Sequence, residues 1–307
     1  MNLRRLFCLL VICLSVLLLV PSISFSQEKQ KQKKAAAQKL PDGVKMLADL
    51  TYKQAGDTAL KLDLYLPEKT EGKLPVVVWI HGGGWNKGSK DRCPAVWLVP
   101  KGFAVASVQY RLSTEAQWPA QMDDCRDAIR WLRDNAKQHQ LDAKHIGVWG
   151  SSAGGHLVAL MGTLDLPKDE KTSARIKAVC DWFGPSDLLT MPANVVGNGR
   201  TEEDVAKSNG AILLGAPIYK VPDTAKLASA LHQVSKGDAP FLIIHGDADP
   251  QVPLAQSTRL HDKLKETGVP SELAIIKGGG HGGPLFNTPE VQAQILKFFE
   301  RELKPKK

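Results

Sequence analysis

The chain of 307 residues is 43% hydrophobic and 23% charged. This composition excludes a protein that is disordered throughout and provides enough apolar side chains for one large core. Its formal net charge of +8 comes from the ends of the sequence: two arginines near the start, a lysine-rich stretch over residues 27–39, and three lysines after residue 303. The middle of the chain is therefore near neutral, and its charge does not indicate a nucleic-acid partner.

The first 39 residues are predicted to be a leader and a spacer. Two arginines precede an apolar run over residues 6–20, and small serines follow it, which is typical of a secretory signal peptide cleaved after Ser26. The run is shorter than the ~20 residues of a membrane-spanning helix, and an uncleaved anchor is the alternative. Residues 27–39, rich in Lys and Gln, predict a disordered spacer. We therefore expect a secreted or periplasmic protein whose folded domain covers residues 40–307.

Apolar periodicity predicts alternating strands and helices along the rest of the chain. A strand with one wet face is predicted within residues 52–66, where leucines alternate from residue 60 to residue 66, with a hairpin turn before it at residues 54–57. Helices are predicted at residues 119–138, directly after Ser152, and at residues 289–303. Further strands are predicted at residues 75–80, 103–110, 146–149, 178–183, 241–245 and 273–276. This alternation predicts an α/β domain with a mostly parallel sheet, an antiparallel start and flanking helices.

Three consecutive glycines follow the strand predicted at residues 75–80, in the sequence His81-Gly82-Gly83-Gly84-Trp85. Without side chains in the way, such a loop can turn backbone N–H groups toward an oxygen anion, as the intermediate of acyl transfer requires. We predict that Gly83 and Gly84 donate to this oxygen. A phosphate-binding loop would need a Lys-Ser/Thr pair at the start of a helix, and the sequence after Trp85 does not contain it.

The sequence Gly150-Ser151-Ser152-Ala153-Gly154 lies between a predicted strand and a predicted helix. This order is typical of a nucleophile elbow, a strained turn that exposes a serine hydroxyl above the edge of the sheet. A Cβ at either flanking glycine would clash across so tight a turn. We predict that Ser152 is the nucleophile and that the N–H of Ala153 is a third donor to the oxyanion. Because ordinary turns also contain this pattern, the downstream sequence has to support the prediction.

Two later strands end in residues that can complete a catalytic triad. The strand at residues 241–245 leads into Asp247 and Asp249, and the last predicted strand leads into His281 among glycines. His281 is predicted to take the proton of Ser152, while a carboxylate orients the imidazole and stabilises its cation. Asp249 is the preferred acid, and Asp247 is the competing candidate. The chain order Ser, Asp, His is that of α/β-hydrolases, not that of chymotrypsin or subtilisin.

The other histidines are expected to be structural or to lie at the surface. His81 is predicted to brace the glycine loop, His156 to pack locally, and His245 to cap backbone groups near the acid. The four expected at the surface are His139, His145, His232 and His261. No pair of histidines has ligand spacing with Cys or acidic residues, so we expect neither a metal site nor a cofactor.

Together these motifs resemble the bacterial carboxylesterase branch of the α/β-hydrolases, which contains hormone-sensitive-lipase-like esterases and bifunctional feruloyl and acetyl-xylan esterases. The segments that carry the resemblance are residues 81–85, 110–112, 150–157, 181–187, 245–249 and 280–282. It extends from about residue 60 to residue 303, and it implies an α/β-hydrolase fold and ester hydrolysis. The family's nucleophile falls on Ser152, its acid on Asp249 and its base on His281. Its oxyanion loop falls on Gly83 and Gly84.

One departure separates the chain from the hormone-sensitive-lipase-like members. No long helical cap precedes the glycine run, and Trp85 together with residues 181–185 looks closer to the secreted carbohydrate esterases. Residues 190–237 lie between two predicted strands, where this fold places insertions, and are predicted to form a small lid that sets acyl specificity. Trp85 and Trp182 are candidate substrate-binding aromatics, and the alternative for each is a buried support of its loop.

Three cysteines follow the predicted leader: Cys93, Cys125 and Cys180. Cys125 and Cys180 fall on predicted apolar faces and are expected in the core. A Cys93–Cys125 bridge is possible in a compartment that permits disulfides.

The sequence therefore predicts a secreted serine esterase that works through an acyl-enzyme. The predicted substrates are short-chain or aromatic acyl esters, acetyl or feruloyl, on small molecules or polysaccharides. Two alternatives remain: a prolyl-oligopeptidase-like serine peptidase with the same triad, and a non-catalytic binding protein of the same fold. Neither a nucleic-acid partner nor membrane insertion after leader cleavage is expected, and the sequence does not predict an oligomeric state.

Overall fold

The structure is a computed structural model that describes residues 38–165 and 171–304. The predicted signal peptide, residues 1–26, and the predicted spacer up to residue 37 lie outside the described residues. Within the described ranges, no helix combines the length and the apolar character that a membrane crossing requires.

Eight strands of the described chain form one sheet. They are β1 Val44–Ala55, β2 Thr58–Pro67, β3 Leu74–Ile80, β4 Ala104–Val108, β5 Leu141–Ser151, β6 Val179–Trp182, β7 Phe241–Gly246 and β8 Ser271–Ile276. Their order across the sheet is β1-β2-β4-β3-β5-β6-β7-β8. Strand β2 runs antiparallel to both β1 and β4, and the other neighbouring pairs are parallel. The predicted mostly parallel sheet with an antiparallel start is confirmed.

Helices cover both faces of this sheet. They are α1 Ala120–Asp134, α2 Ala153–Thr163, α3 Glu202–Ala206, α4 Asn209–Leu214, α5 Pro222–Leu227, α6 Leu254–Glu266 and α7 Pro289–Leu303. Successive side chains of a strand point to opposite faces, so Val76 and Val78 of β3 join one core with α1, α2 and α6. Val77 and Trp79 join a second core with α7 and the 3-10 helix Pro94–Lys101.

The prediction of a wet face on β2 is wrong. Asp63 and Tyr65, which would occupy that face, are both buried. Tyr65 packs in the same core as the 3-10 helix Pro94–Lys101, and Asp63 pairs with Lys90 at 2.8 Å between Oδ1 and Nζ. The leucines of β2 join the core on one face of the sheet and Tyr65 joins the core on the other, so both of its faces are covered. Alternating leucines alone do not reveal a salt bridge that makes a polar residue compatible with burial.

The cysteines of the described chain are free thiols. Cys93 belongs to the core beneath α7, whereas Cys125 belongs to the core on the opposite face of the sheet. A bridge between these two residues is therefore excluded by the fold. The predicted core positions of Cys125 and Cys180 are confirmed, since both are fully buried.

Candidate active site

Ser152 occupies a sharp turn between β5 and α2. Its backbone has φ 55° and ψ −119°, a conformation that residues with side chains rarely adopt. A Cβ on Gly150 would collide with the carbonyl of Gly154, and a Cβ on Gly154 would collide with the carbonyl of Ile80. The Ser152 N–H donates to the carbonyl of Trp182 at 2.8 Å, which ties the turn to the end of β6. The two glycines thus allow the close approach that holds the serine above the sheet.

Two hydrogen bonds join Ser152, His281 and Asp249 in a line. The Oγ of Ser152 is 2.8 Å from Nε2 of His281, and Nδ1 of His281 is 2.7 Å from Oδ2 of Asp249. Because the carboxylate is an acceptor, Nδ1 carries the proton, and Nε2 of the neutral ring can accept the serine proton. The Asp249 side chain is 0% exposed and that of His281 is 12% exposed. This geometry can activate a hydroxyl nucleophile.

The Asp249 carboxylate is held by its own loop as well as by His281. Its Oδ1 accepts the backbone N–H of Gln251 at 2.8 Å and that of Val252 at 3.0 Å. These two donors fix the rotation of the carboxylate, so that Oδ2 faces the imidazole. The loop between β7 and α6 therefore delivers an oriented acid to the base.

The competing acid, Asp247, lies elsewhere. It is exposed, and its Oδ1 accepts the backbone N–H of Gly278 at 2.6 Å. This bond connects the loops that follow β7 and β8. Of the two candidates, the structure brings Asp249 to His281 and gives Asp247 a role in the turn.

His245, expected only to cap backbone groups, also touches the acid. Its Nε2 lies 2.9 Å from the carbonyl of Val252, which is the expected cap, and 3.2 Å from Oδ2 of Asp249. Sequence analysis missed this second contact. The four-residue spacing of His245 and Asp249 was the available signal, but it brings the two together only because the chain bends after β7.

The glycine loop lies beside Ser152. Gly83 has φ +117° and Gly84 has φ +60°, conformations that favour glycine. Among the described residues, the N–H groups of Gly83 and Gly84 have no acceptor. Ala153 is the first residue of α2, where an N–H has no partner within the helix. These three residues and Ser152 line one cavity, so their amides are available to an oxygen bound there.

His81 braces this loop, as predicted. Its Nδ1 is 2.8 Å from the carbonyl of Gly82, and its ring stacks on Tyr110 with the centroids 4.3 Å apart. The hydroxyl of Tyr110 donates to the carbonyl of His81 at 3.1 Å. Burial lowers the pKa of His81 to about 4, so the ring is neutral and donates from Nδ1. The start of the glycine loop is therefore fixed by a neutral aromatic pair.

A cavity of about 660 Å³ opens over Ser152 and His281. The insertion between β6 and β7 forms one of its walls, with Met191, Asn194, Arg200 and Asn209 among the lining residues. Within this insertion, Thr201 caps α3 through reciprocal hydrogen bonds with Asp204. The insertion thus lies where it can contact a bound substrate.

The two candidate aromatics lie in different environments. Trp85 lines the cavity but is only 6% exposed, and its indole N–H donates to Nδ1 of His156 at 3.2 Å. Trp182 does not line the cavity. It is 5% exposed and packs edge-on against Trp149 at 4.8 Å between centroids, in the core beneath α7. The expectation that Trp182 contacts substrate is therefore corrected to a core role, because its place on β6 points it to the opposite face of the sheet.

His156 connects the glycine loop to the insertion. Its Nε2 lies 2.7 Å from the carbonyl of Ala228, and its Nδ1 accepts the N–H of Trp85. Burial lowers the pKa of His156 to about 4, so the ring stays neutral with its proton on Nε2. His156 therefore does more than the predicted local packing: it forms hydrogen bonds to two residues that are distant in the sequence, Trp85 and Ala228.

A buried acid lies under the turn that carries Ser152. Oδ1 of Asp181 accepts the N–H of Gly184 at 2.9 Å, and Oδ2 has no partner among the described residues. Burial raises the pKa of Asp181 to about 7. A Cβ on Gly155 of α2 would collide with this carboxyl group, so α2 packs directly on it. Asp181 occurs in a motif of the resemblance, but nothing in its sequence indicated full burial.

A family model described as BD-FAE matches residues 62–264. Esterase LipC of Mycobacterium tuberculosis is 28% identical over 245 residues, which cover 75% of this chain and 59% of that protein. The chain spans 59%, 53% and 51% of the length of three curated relatives that it matches.

Two solved structures are similar over most of the chain. One, described as a truncated form of carbohydrate esterase from gut microbiota, has a TM-score of 0.75 and 31% identity. The alignment covers 85% of this chain and 97% of that one. The other, a bifunctional GH43-CE protein of Bacteroides eggerthii, has a TM-score of 0.75 and 33% identity, over 86% of this chain and 36% of that chain. The fold is therefore that of the α/β-hydrolase esterases.

Proposed function

The chain belongs to the BD-FAE family, and from that premise we propose that it is a serine esterase that hydrolyses carboxylic esters through an acyl-enzyme. One observation carries the proposal: the hydrogen-bonded line from Ser152 through His281 to Asp249 at the floor of an accessible cavity. Nucleophile, base and orienting acid are the groups that this chemistry requires.

The proposed reaction begins with attack of Ser152 Oγ on the carbonyl carbon of the ester. His281 Nε2 takes the hydroxyl proton, and Asp249 stabilises the imidazolium. The carbonyl oxygen becomes an anion that accepts from the N–H groups of Gly83, Gly84 and Ala153, each contributing about 3 kcal/mol to the transition state. His281 then protonates the leaving alkoxide, and the alcohol departs.

Deacylation repeats these steps with water as the nucleophile. His281 removes a proton from the water, and the hydroxide attacks the acyl carbon. The second tetrahedral intermediate uses the same three amide donors. When it collapses, Ser152 leaves as an alkoxide and receives its proton back from His281. A carboxylic acid is released, and the enzyme returns to its starting state without a cofactor.

We propose that the substrates are short-chain or aromatic acyl esters, acetyl or feruloyl, of carbohydrates. A cavity of about 660 Å³ has room for an acyl group and part of a sugar. Similarity to a carbohydrate esterase supports the sugar as the alcohol component. The insertion that forms a wall of the cavity is proposed to act as a lid that sets acyl specificity. We also propose that the protein is exported, because its first 26 residues have the pattern of a signal peptide.

A substrate panel tests this function. Acetyl, butyryl, octanoyl and feruloyl esters, acetylated xylan and a proline amide are incubated with the wild type, Ser152→Ala and Ser151→Ala. We expect release of acetate or ferulate by the wild type, almost complete loss in Ser152→Ala, and less than tenfold loss in Ser151→Ala. Cleavage of the proline amide alone would show that the protein is a peptidase and not an esterase. Equal rates for the wild type and Ser152→Ala would contradict the mechanism.

A further inference from the structure

We propose that the cavity selects ester substrates that carry a carboxylate, and that Arg200 and Lys87 bind this anionic group. The inference deepens the esterase function proposed above and rests on it. The carboxylate belongs to a part of the substrate that does not react.

Arg200 is a cation with an unused hydrogen-bond donor. It lines the cavity, and within the described chain its buried Nε has no acceptor. Its Nη2 donates to the backbone carbonyl of Asp204 at 3.2 Å. Leaving a buried donor unpaired is costly, and more so for a charged group. A carboxylate would satisfy it, since a guanidinium presents parallel N–H groups that match two carboxylate oxygens.

The backbone holds Arg200 at this wall. Its N–H donates to the carbonyl of Gly197 at 2.9 Å, and the N–H of Gly197 donates back to the Arg200 carbonyl at 3.0 Å. Arg200 directly precedes Thr201, whose N–H and hydroxyl both donate to Oδ2 of Asp204 at 2.8 Å. That carboxylate is therefore engaged in capping α3. Asp204 forms no ion pair with Arg200 within the described residues, and the pKa of Asp204 is lowered first by the Thr201 N–H and less by the charge of Arg200.

Lys87 places a second positive charge on the same cavity. It follows the glycine loop by three residues, is exposed, and has no ion-pair partner in the part of the chain that the structure describes. The described lining contains no carboxylate side chain, because Asp249 lies behind His281 and is fully buried. The neutral polar groups nearby are those of Asn194, Asn209 and Gln251. Arg200 and Lys87 are the two cations that line the cavity, and the acid nearest to Arg200, Asp204, does not line it. The lining therefore has a positive potential that favours an anionic ligand.

Two kinds of ester would present the required anion. The carboxylate can belong to the acyl group, as in the half-ester of a dicarboxylic acid, or to the alcohol, as in an acylated uronic acid. Both would offer the same carboxylate to Arg200 and Lys87. The chemistry that they share is the proposal, and the experiment separates the two sources.

The test uses two pairs of ester substrates, and in each pair an anionic ester is compared with a neutral ester of similar size. The acyl pair is 4-nitrophenyl hemisuccinate and the 4-nitrophenyl ester of monomethyl succinate. The alcohol pair is acetylated methyl glucuronoside and acetylated methyl glucoside. For each pair, the ratio of kcat/KM for the anionic ester to that for the neutral ester is measured at low and high salt. We expect a ratio above one in at least one pair, falling as salt screens the charges.

Variants then assign the preference to residues. Arg200→Gln is expected to lower the ratio about tenfold, as loss of a hydrogen bond to a charged group does. Arg200→Lys, which retains the charge but not the fork, should give an intermediate ratio. Lys87→Gln should lower it less, because the lysine is exposed and its charge is screened. Lys297→Gln, which removes an exposed cation of α7 away from the cavity, is the matched control and should retain the wild-type ratio.

The outcomes separate this inference from the function on which it rests. A preference in the acyl pair alone identifies an anionic acyl group, and one in the alcohol pair alone identifies an acidic sugar. Ratios at or below one in both pairs, or a ratio that Arg200→Gln leaves unchanged, would overturn the inference while the esterase remains. If no ester of either pair is hydrolysed by the wild type, the proposed function itself fails.

Discussion

His245 Nε2 lies 3.2 Å from Oδ2 of Asp249, the same carboxylate oxygen that accepts from His281 at 2.7 Å. Burial lowers the pKa of His245, so the ring is neutral and carries one proton. Its Nδ1 is 2.7 Å from the hydroxyl of Ser257, which can donate, whereas Nε2 faces only acceptors, among them the carbonyl of Val252. The proton therefore belongs on Nε2, where it is shared between that carbonyl and the acid.

This contact makes His245 a positioning residue for Asp249. Replacing it in His245→Gln should lower kcat about tenfold with little change in KM, because the carboxylate loses a donor that is remote from bound substrate. Steady-state kinetics on 4-nitrophenyl acetate would separate the effect on kcat from the effect on KM. Ser257→Ala, which leaves both contacts of Nε2 in place, is the matched control and should lower kcat less than His245→Gln does. A kcat for His245→Gln within twofold of the wild type would show that Asp249 does not need this support.

Asp249→Asn should reduce kcat by about four powers of ten, as loss of the orienting carboxylate does in serine proteases. The amide cannot accept the Nδ1 proton with the same strength, so the neutral ring is held in the wrong tautomer. Asp247→Asn removes a neighbouring acid that contacts Gly278 and not His281, and it should change kcat by less than threefold. Kinetics of the two variants side by side decide between the acids, and a larger loss in Asp247→Asn would reverse the assignment.

Continuous apolar runs were sufficient to predict the parallel strands β3, β4, β6 and β7, which are buried on both faces. The edge strand β8 was predicted from its apolar run as well, although it is half-buried or exposed. Helix α7 begins and ends where its apolar stripe predicts. The hairpin turn at residues 54–57 is confirmed, since the chain turns there between β1 and β2, but the extent of β1 was not predicted. Most of β1 is half-buried or exposed, so little apolar pattern marks it. Strand pairing with β2 nevertheless forms it.

The line of Ser152, Asp249 and His281 was predictable because each residue follows a strand, and parallel strands bring their carboxyl ends to one edge. The positions of Arg200 and His245 were not predictable in the same way. Arg200 belongs to an insertion without regular periodicity, where a two-bond bridge with Gly197 sets the course of the chain. His245 reaches Asp249 through a loop bend that spacing alone does not show.

Trp182 should contribute to stability and not to substrate binding. Trp182→Ala should lower the free energy of unfolding by about 3–5 kcal/mol, because it empties a site between Trp149 and Phe286. Chemical denaturation would measure this loss. Trp182→Phe keeps an aromatic ring in the core and should lower the free energy of unfolding clearly less than Trp182→Ala does. For this milder variant we expect KM values for acetyl and feruloyl esters close to those of the wild type, and a selective rise in KM would return Trp182 to the substrate site.

Asp181 should make the fold less stable as pH rises from about 4 toward neutrality. Its pKa is raised by burial from 3.8 to about 7, so between these values the folded state holds a proton that the unfolded chain releases. The free energy of unfolding contributed by this group therefore falls as pH increases across that window. Asp181→Asn removes the titration, and its stability relative to the wild type should improve on going from about pH 5 to about pH 8, by up to a few kcal/mol.

Comparing the two proteins at each pH isolates this effect. Burial lowers the pKa of His81 and of His156 to about 4, so their contribution to the free energy of unfolding falls as pH falls from about 6.5 toward 4. This change is the same in both proteins. Denaturant midpoints with constant slope provide the measurement. Ser151→Ala, which removes no titratable group, is the control and should show no such trend. A stability difference that is flat with pH in Asp181→Asn would mean that Asp181 titrates normally.

Whether Ser152 is the activated nucleophile is tested by covalent labelling with an aryl phosphonate followed by peptide mapping. Activated phosphonates react with a serine whose proton is removed by an adjacent base, and the adduct resembles the tetrahedral intermediate. We expect one adduct per chain, on Ser152, formed at the rate at which esterase activity disappears. The adduct should be absent from Ser152→Ala and much slower to form in His281→Ala. An adduct on another residue, or ester turnover that survives complete modification of Ser152, would contradict this expectation.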